Sequence, residues 1–528
     1  MSFSKGINAS MATKTKLRTK DSYCSFSGMC TNCLDGCIGL CEIGRSSVRG
    51  KEVLYPAPFG KVTSASEKDY PVDYSHFNIM GTAVGAYGTE ADSDKAIFPA
   101  VNLETSLGTN HNKIELSLPL VVAAMGSTDI AANNWNHLAA GCAISGVGIV
   151  IGENVCGMDP NLELSGGKVK HSPNLAKRVA DFKNWYNGKG FIAVQANVED
   201  TRLGVQEYAI EKLGVEVVEI KWGQGAKDIG GEVKLASLER ALELHSRGYI
   251  VLPDPTDPIV QEAYKNKVFD EFERHSRIGM VAEEGFMQRV DELRQAGAKY
   301  IFLKTGAYRP ADLARAVKFA SKAKIDLLTV DGAGGGTGMS PWRMMNEWGI
   351  PTVYIQSLLV QCLDKLSSKG KFTPTIAIAG GFSLEDHIFK GLSLGAPYTK
   401  IIGMARGPLT AAMVGKTVGE AVKSGKVPAD YRHNGETSLE QVFIAASEIK
   451  NILGEDFNRL PVGAIGVYTY YQRLAQGLRQ FMCGARKFNI DSITRKDLVA
   501  LTKEAAEISG IDYVMDSDKA EVEEILSW

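Results

Sequence analysis

Residues 325–341, IDLLTVDGAGGGTGMSP, decide how this chain folds. A short β-branched and leucine-rich run ends in Asp331, and the backbone then passes through Gly332, Gly334, Gly335, Gly336 and Gly338 before Pro341. The pattern predicts a buried strand that delivers a glycine loop to one edge of a sheet, because glycine alone lets a backbone approach a ligand closely and take positive φ. Neither G-x-G-x-x-G nor G-x-x-x-x-G-K-[ST] fits any register between Gly332 and Gly338, since Thr337, Met339 and Pro341 stand where the last glycine belongs. A Rossmann or P-loop reading is therefore poor, and a glycine-rich surface turn is the plain alternative to a ligand cradle.

Working outward, the same kind of run recurs. Apolar stretches at 118–127, 146–154, 191–197, 217–225, 300–306, 325–332, 375–381 and 399–406 alternate with helical segments. Eight such strands predict a (β/α)8 TIM barrel, each strand apolar along its length because both of its faces are covered. Pro310 opens a segment in which Leu313, Ala316, Val317 and Ala320 follow helical spacing, and Ser383 with Asp386 predicts a capping box after the seventh strand. A long insertion at about 224–298, with Pro253, Pro255 and Pro258, predicts a lobe or lid over the barrel mouth. The expected organisation is a flexible tail at 1–20, a cysteine-bearing and irregular wrap at 21–117, the barrel at 118–409 and a helical extension at 410–528. In that extension Thr494 and Asp497 suggest a helix cap, and Gly510 a stop.

Chemistry in this fold sits at the carboxyl ends of the strands. Those ends carry Met125, Gly126 and Ser127, then Glu153 and Asn154, Gln195 and Asn197, Lys221 and Gln224, Lys304, Asp331, Gly380 and Gly381, and Gly403 with Arg406. Any one of them reads equally well as a satisfied core polar group, whereas their convergence on one mouth predicts an active site. Lys221 and Lys304 stand in apolar runs where a lysine is costly unless paired or set beside an anionic ligand. A buried ion pair with Glu219 or Asp331 is the alternative.

With 528 residues, 44% hydrophobic and 23% charged, the chain can bury a large core, and 59 basic against 61 acidic residues leave a net charge of −2. That balance offers no footprint for nucleic acid or an anionic membrane. No run of about 18 apolar residues and no secretory core in the first twenty point to a soluble, cytoplasmic protein. Five of nine cysteines, Cys24, Cys30, Cys33, Cys37 and Cys41, fall within one short segment, whereas Cys142, Cys156, Cys362 and Cys483 are scattered. Thiols that dense without a secretory signal argue for metal over disulfides. One tight run favours an iron–sulfur cluster, a 4Fe–4S cluster being the expected type, with zinc or a structural role as alternatives. Cys30, Cys33, Cys37 and Cys41 are the expected ligands, with Cys24 as substitute.

Four pieces, EIKWGQGAKDIGG (219–231), TVDGAGGGTGMSP (329–341), AIAGGF (377–382) and LGAPYTKIIGMARGPL (394–409), resemble the flavin-binding synthase domain of glutamate synthases, as do AAMGS (123–127) and GEN (152–154). The resemblance covers roughly residues 118–409, and residues 462–488 resemble the tail of related proteins. It implies FMN, with its phosphate on Gly335, Gly336, Gly380, Gly381 and Gly403, Arg406 and Lys227 as anion-binding candidates, and Met125, Ser127, Gln195 and Lys221 near the ring. Lys221, Gln224, Lys304 and Asp331 become the catalytic candidates. The implied reaction reduces 2-iminoglutarate, formed from 2-oxoglutarate and ammonia, with electrons from ferredoxin or a partner subunit. Synthesis of N-methylglutamate or another amino-acid or amine oxidoreduction, and a non-catalytic electron-transfer subunit, are the competing readings. The substrate is then a small 2-oxo or amino acid, and a homo-oligomer is compatible with each reading. Here the cysteines precede the barrel, whereas those of the family follow its last strand, and no amidotransferase-like sequence precedes the barrel, so ammonia is expected from solution or a partner.

Overall fold

The structure, a computed structural model, describes residues 35, 66, 68–108, 113–225, 233–336, 340–432 and 437–528. Eight parallel strands close into a barrel. They are β1 (Leu120–Met125), β2 (Gly148–Ile151), β3 (Ile192–Ala196), β4 (Val217–Lys221), β5 (Tyr300–Thr305), β6 (Leu327–Asp331), β7 (Thr375–Ala379) and β8 (Thr399–Met404). Each lies within one of the apolar runs, and β8 pairs back onto β1 through Gly403 and Val121. The TIM barrel expected from the sequence is the fold. The runs read as continuous apolar stretches because side chains alternate between two buried layers. Inside the barrel Val121, Val150, Phe191, Phe302, Leu327 and Ile401 form one cluster, with Phe191 and Phe302 edge to face at 5.2 Å. Outside it, the helices bury a second and larger apolar layer.

The amino-terminal end of the barrel is plugged by an antiparallel hairpin, Thr105–Leu107 with Ile114–Leu116, whose Leu107 and Leu116 join the interior cluster. A second ladder pairs Phe77–Ile79 with Leu498–Ala500. The segment before the barrel is thus less irregular than expected, and the segment after it is not purely helical. Thr494 and Asp497 do form a capping box, but on a short 3-10 turn (Arg495–Asp497) that leads into that strand. The helix expected there is Lys503–Ser509, capped by Thr502 and ended by Gly510 at φ +67°. The cap on the helix after β7 also differs: the His387 ring, not Asp386, accepts from the Leu384 N–H at 3.4 Å.

The helix Pro310–Ala323 buries Leu313, Ala316, Val317 and Ala320, as its spacing requires. The long helix Gly463–Gly484 packs across Asp129–Ile144 and Arg406–Lys423. Its Tyr471 and Leu474 are buried in the outer layer. A three-stranded sheet, Val233–Leu235, Phe272–His275 and Ile250–Leu252, forms the insertion between β4 and β5. The helix Glu283–Gln295 that follows packs beside Pro310–Ala323 as an ordinary barrel helix, so the added lobe ends earlier than the sequence suggested. No helix among the described residues is long and apolar enough to cross a membrane.

Candidate active site

Two neighbouring hollows open at the carboxyl ends of the strands. The smaller, of about 90 Å³, is walled by Gly335 and Gly336 after β6, Gly380 and Gly381 after β7, and Gly403 to Gly407 at the end of β8, with Asp331 and Gln224 on its flank. The two glycine pairs, nearly fifty residues apart in sequence, are therefore brought together. A Cβ on Gly335 would stand 3.6 Å from the Gly380 Cα, and one on Gly381 would stand 3.3 Å from the Gly334 carbonyl oxygen. Gly380 and Gly381 take φ of +123° and +108°, which side chains rarely adopt. Arg406 lies at the first turn of the 18-residue helix Arg406–Lys423, whose amino terminus also faces this hollow. Free N–H groups and the positive end of a helix dipole favour an anion there.

The cradle has a support that the sequence did not signal. Thr352, at the start of the helix Thr352–Ser367, sets its hydroxyl 2.7 Å from the Gly380 carbonyl and 3.0 Å from that of Ala333, tying the two glycine loops together.

The larger hollow, about 400 Å³, contains Glu153, Asn154, Asn197, Lys221 and Gln224 on its inner side. Gln224 lines both hollows. Lys221 Nζ donates to Glu153 at 2.6 Å and to Gln224 at 3.1 Å. Burial alone would raise the Glu153 carboxyl, but the charge and hydrogen bond of Lys221, with Lys304 behind it, pull it down to about 2. Glu153 is therefore the partner of Lys221, a role the sequence left unassigned. Lys304 pairs with Asp331 at 3.3 Å, with only 6% of its side chain exposed. The ion-pair alternative is what Lys304 adopts, and burial would lower its ammonium, yet the charges of Asp331, Glu219 and Glu153 raise it.

At the end of β3, Gln195 donates to Glu219 at 2.5 Å, while its Oε1 is buried with no hydrogen-bond partner among the described residues. An orphaned buried carbonyl is costly unless a ligand completes it. The end of β1 is held from behind: Arg178, stacked over Trp135, donates to the carbonyls of Met125 at 3.3 Å and Gly126 at 3.0 Å. Gly126 in turn lies against the Glu153 carbonyl, where a Cβ would come within 2.6 Å. Met125 thus stands beside the strand end that carries Glu153, but neither it nor Ser127 lines either hollow.

The insertion reaches into this mouth. Arg274, fully buried on its central strand, donates to Asn154 Oδ1 at 3.1 Å and stacks over Tyr249 at 4.7 Å. Asn154 holds φ +68°, and its N–H donates to Asp200 at 2.9 Å. Burial pushes the Asp200 carboxyl up to about 7, against the Asn154 hydrogen bond and with the help of the Glu153 charge. Lys227 and the five clustered cysteines lie outside the described residues. Among the described residues no group of three or more His, Cys, Asp or Glu side chains is placed to hold a metal ion.

Residues 274–414 match the conserved region in glutamate synthase. The chain is 24% identical over 311 residues to an archaeal NADPH glutamate synthase of Methanocaldococcus jannaschii, a match that covers 58% of this chain and half of that protein. Among solved structures, a mutant flavocytochrome b2 with pyruvate bound aligns with a TM-score of 0.46 at 13% identity, over 82% of this chain and 78% of that one. The recombinant flavin-binding domain of baker's yeast flavocytochrome b2 aligns with a TM-score of 0.45 at 13% identity, over 81% and 77%. The region that matches the conserved region in glutamate synthase spans β5 to β8 and the glycine cradle between them.

Proposed function

We propose that the barrel is an FMN-dependent oxidoreductase that reduces a 2-imino acid to an amino acid, in the manner of the glutamate synthases, which act on 2-iminoglutarate. The observation that carries this reading is the single hollow shared by Gly335, Gly336, Gly380, Gly381, Gly403 and Arg406, which has Gln224 in common with the cleft of Lys221 and Glu153. The first would hold a phosphate, and the second would take the reacting ring. The residues present suit the cofactor: a Cβ on Gly380 would fill the cradle against Thr352 and Gly332, and the orphaned Gln195 Oε1 can accept from a ring N–H.

When bound, FMN supplies the reducing equivalents to the imine carbon. The chain supplies position and charge. Lys221 has three donors, of which Glu153 and Gln224 take two among the described residues, and the third would serve a substrate carboxylate. Glu153, ionised at neutral pH, keeps that ammonium in place and can accept from a protonated imine nitrogen. The Lys304–Asp331 pair lies behind, fixing the ends of β5 and β6. The cysteine spacing supports an iron–sulfur cluster on Cys30, Cys33, Cys37 and Cys41, or with Cys24, fed by ferredoxin or a partner subunit. One anaerobic preparation, assayed for flavin, iron and sulfide, tests both parts. Stoichiometric FMN is the expected result, and a chain that neither carries nor takes up FMN refutes the assignment.

A further inference from the structure

Among the described residues, Asn154, Lys267, Lys324, Arg486 and Asp518 hold positive φ without being glycine. The last four flank helices, where a left-handed residue is ordinary, and none of them is buried. Asn154 is different: it is only 7% exposed, and it follows β2 directly after Glu153, the partner of Lys221. A buried side chain in that conformation persists only where its surroundings fix it, and such positions gather at ligand sites.

The surroundings of Asn154 fix its backbone and its amide separately. Its N–H donates to Asp200 at 2.9 Å, and its carbonyl accepts from the Met158 N–H at 2.9 Å. Its Oδ1 accepts from Arg274 at 3.1 Å and from the Asn197 amide at 3.3 Å. The Asn197 amide is itself oriented, because its own oxygen accepts from the Asp200 N–H at 3.0 Å. Arginine can only donate, so the oxygen of the Asn154 amide has to face Arg274, and a flipped amide would set N–H groups against a guanidinium. The nitrogen is left for the other side. Asn154 lines the larger hollow, and its Nδ2 makes no hydrogen bond among the described residues.

We infer that Asn154 is a ligand-binding residue of this site, turned by Arg274 so that Nδ2 donates to a carboxylate or carbonyl oxygen of the substrate in the larger hollow. Arg274, which comes from the insertion, and Asp200, which holds the Asn154 N–H, are then positioning residues. The insertion thereby takes part in ligand binding from behind the wall of the cleft. This rests on the reading of the larger hollow as the substrate cleft of the flavin site.

The test titrates the full chain, with FMN added, with 2-oxoglutarate and with pyruvate. Flavin absorbance is one readout, and tryptophan fluorescence, to which Trp222 in the same hollow contributes, is a second that needs no flavin. Two variants separate the donor from the backbone. Asn154→Gly keeps the left-handed turn without an amide, whereas Asn154→Asp keeps an oxygen for Arg274 but turns an acceptor toward the hollow. Asn154→Gly is expected to weaken acid binding about tenfold or more, as for one hydrogen bond to a charged group, and Asn154→Asp at least as much, with FMN affinity within about twofold of wild type. Wild-type acid affinity in Asn154→Asp overturns the inference, because the side chain would then serve Arg274 alone. So does wild-type affinity in Asn154→Gly, or a wild-type chain that binds neither acid. Loss of FMN from both variants, with or without loss of the acid, assigns Asn154 to the flavin or to the fold and also overturns it. A chain that holds no FMN, yet whose fluorescence response to either acid weakens in both variants, upholds Asn154 while removing the flavin reading; a chain that holds FMN and whose acid binding ignores both variants does the reverse.

Discussion

Replacing Gly380 by alanine probes the cradle most directly, because two separate penalties can be read from the structure. The backbone at Gly380 has φ +123°, a conformation that holds a side chain only under strain of about 1–3 kcal/mol. The new Cβ would also stand 2.4 Å from Thr352 Oγ1 and 2.6 Å from the Gly332 carbonyl oxygen, and the latter is backbone that cannot swing aside. Overpacking of that kind costs about 1–3 kcal/mol, so Gly380→Ala should destabilise by about 4 kcal/mol in total. Two neighbours calibrate the scale. Gly381→Ala shares the strain, at φ +108°, but its Cβ would meet only the Gly334 carbonyl oxygen at 3.3 Å, so about 2 kcal/mol is expected. Gly370→Ala, at φ +61° with nothing within 4 Å, should lose about 1 kcal/mol. Urea unfolding extrapolated to water measures all three. An FMN titration of the same proteins should show weakened binding in Gly380→Ala and Gly381→Ala but not in Gly370→Ala. If Gly380→Ala proves no less stable than Gly370→Ala, the described backbone of the cradle is wrong.

Asp200 predicts a pH dependence. Its folded-state value of about 7 lies above the ordinary 3.8, so the stability it contributes is full below about pH 4 and is lost as the pH rises through 7, about 4 kcal/mol in all. Asp200→Asn should therefore gain about 3 kcal/mol over the wild type on going from pH 5 to pH 8, and parallel denaturation curves at the two pH values would refute it. Lys304→Met leaves Asp331 and Glu219 buried without their counter-charge and should destabilise by about 3–5 kcal/mol, much of it recovered when Asp331→Asn is added; an additive double mutant would argue against the pair. Arg274→Met removes the buried link between the insertion and Asn154, with an expected loss of about 3 kcal/mol and faster hydrogen exchange across residues 233–275. Unchanged exchange there would show that the lobe is held by other contacts.

What the sequence disclosed follows from where each signal resides. Strands such as Leu327–Asp331 are covered on both faces, so burial writes itself into consecutive residues and can be read without a partner. The glycine loops were legible for a related reason: Gly380 must admit another backbone, and no other residue type does so. Apart from the Lys304–Asp331 pair, side-chain pairings were not legible, because they depend on which strand ends become neighbours. Glu153 finds Lys221 across the mouth, and Arg274 reaches Asn154 from a segment 120 residues later. Thr352 stands at a helix start, where a threonine ordinarily serves as a cap, and nothing local marks it as the clasp of two loops. The insertion was visible only as length, since strands of three or four residues with Ile250 and Leu252 exposed carry too short a pattern to declare a sheet.

The ladder between Phe77–Ile79 and Leu498–Ala500 bears on how the molecule is made. Its partners, such as Phe77 and Ala500, lie more than four hundred residues apart, so on the ribosome the earlier strand emerges long before its mate. At about 5–20 residues per second, it waits some 20 to 80 seconds with Phe77 uncovered, while the barrel closes behind it. Joining two such distant segments is also among the slowest contacts to form, because loop entropy must be lost before the pairing returns anything. The barrel therefore assembles first and the ladder last, and an edge left open for that long is where chaperones, or another unfinished chain, would find this protein.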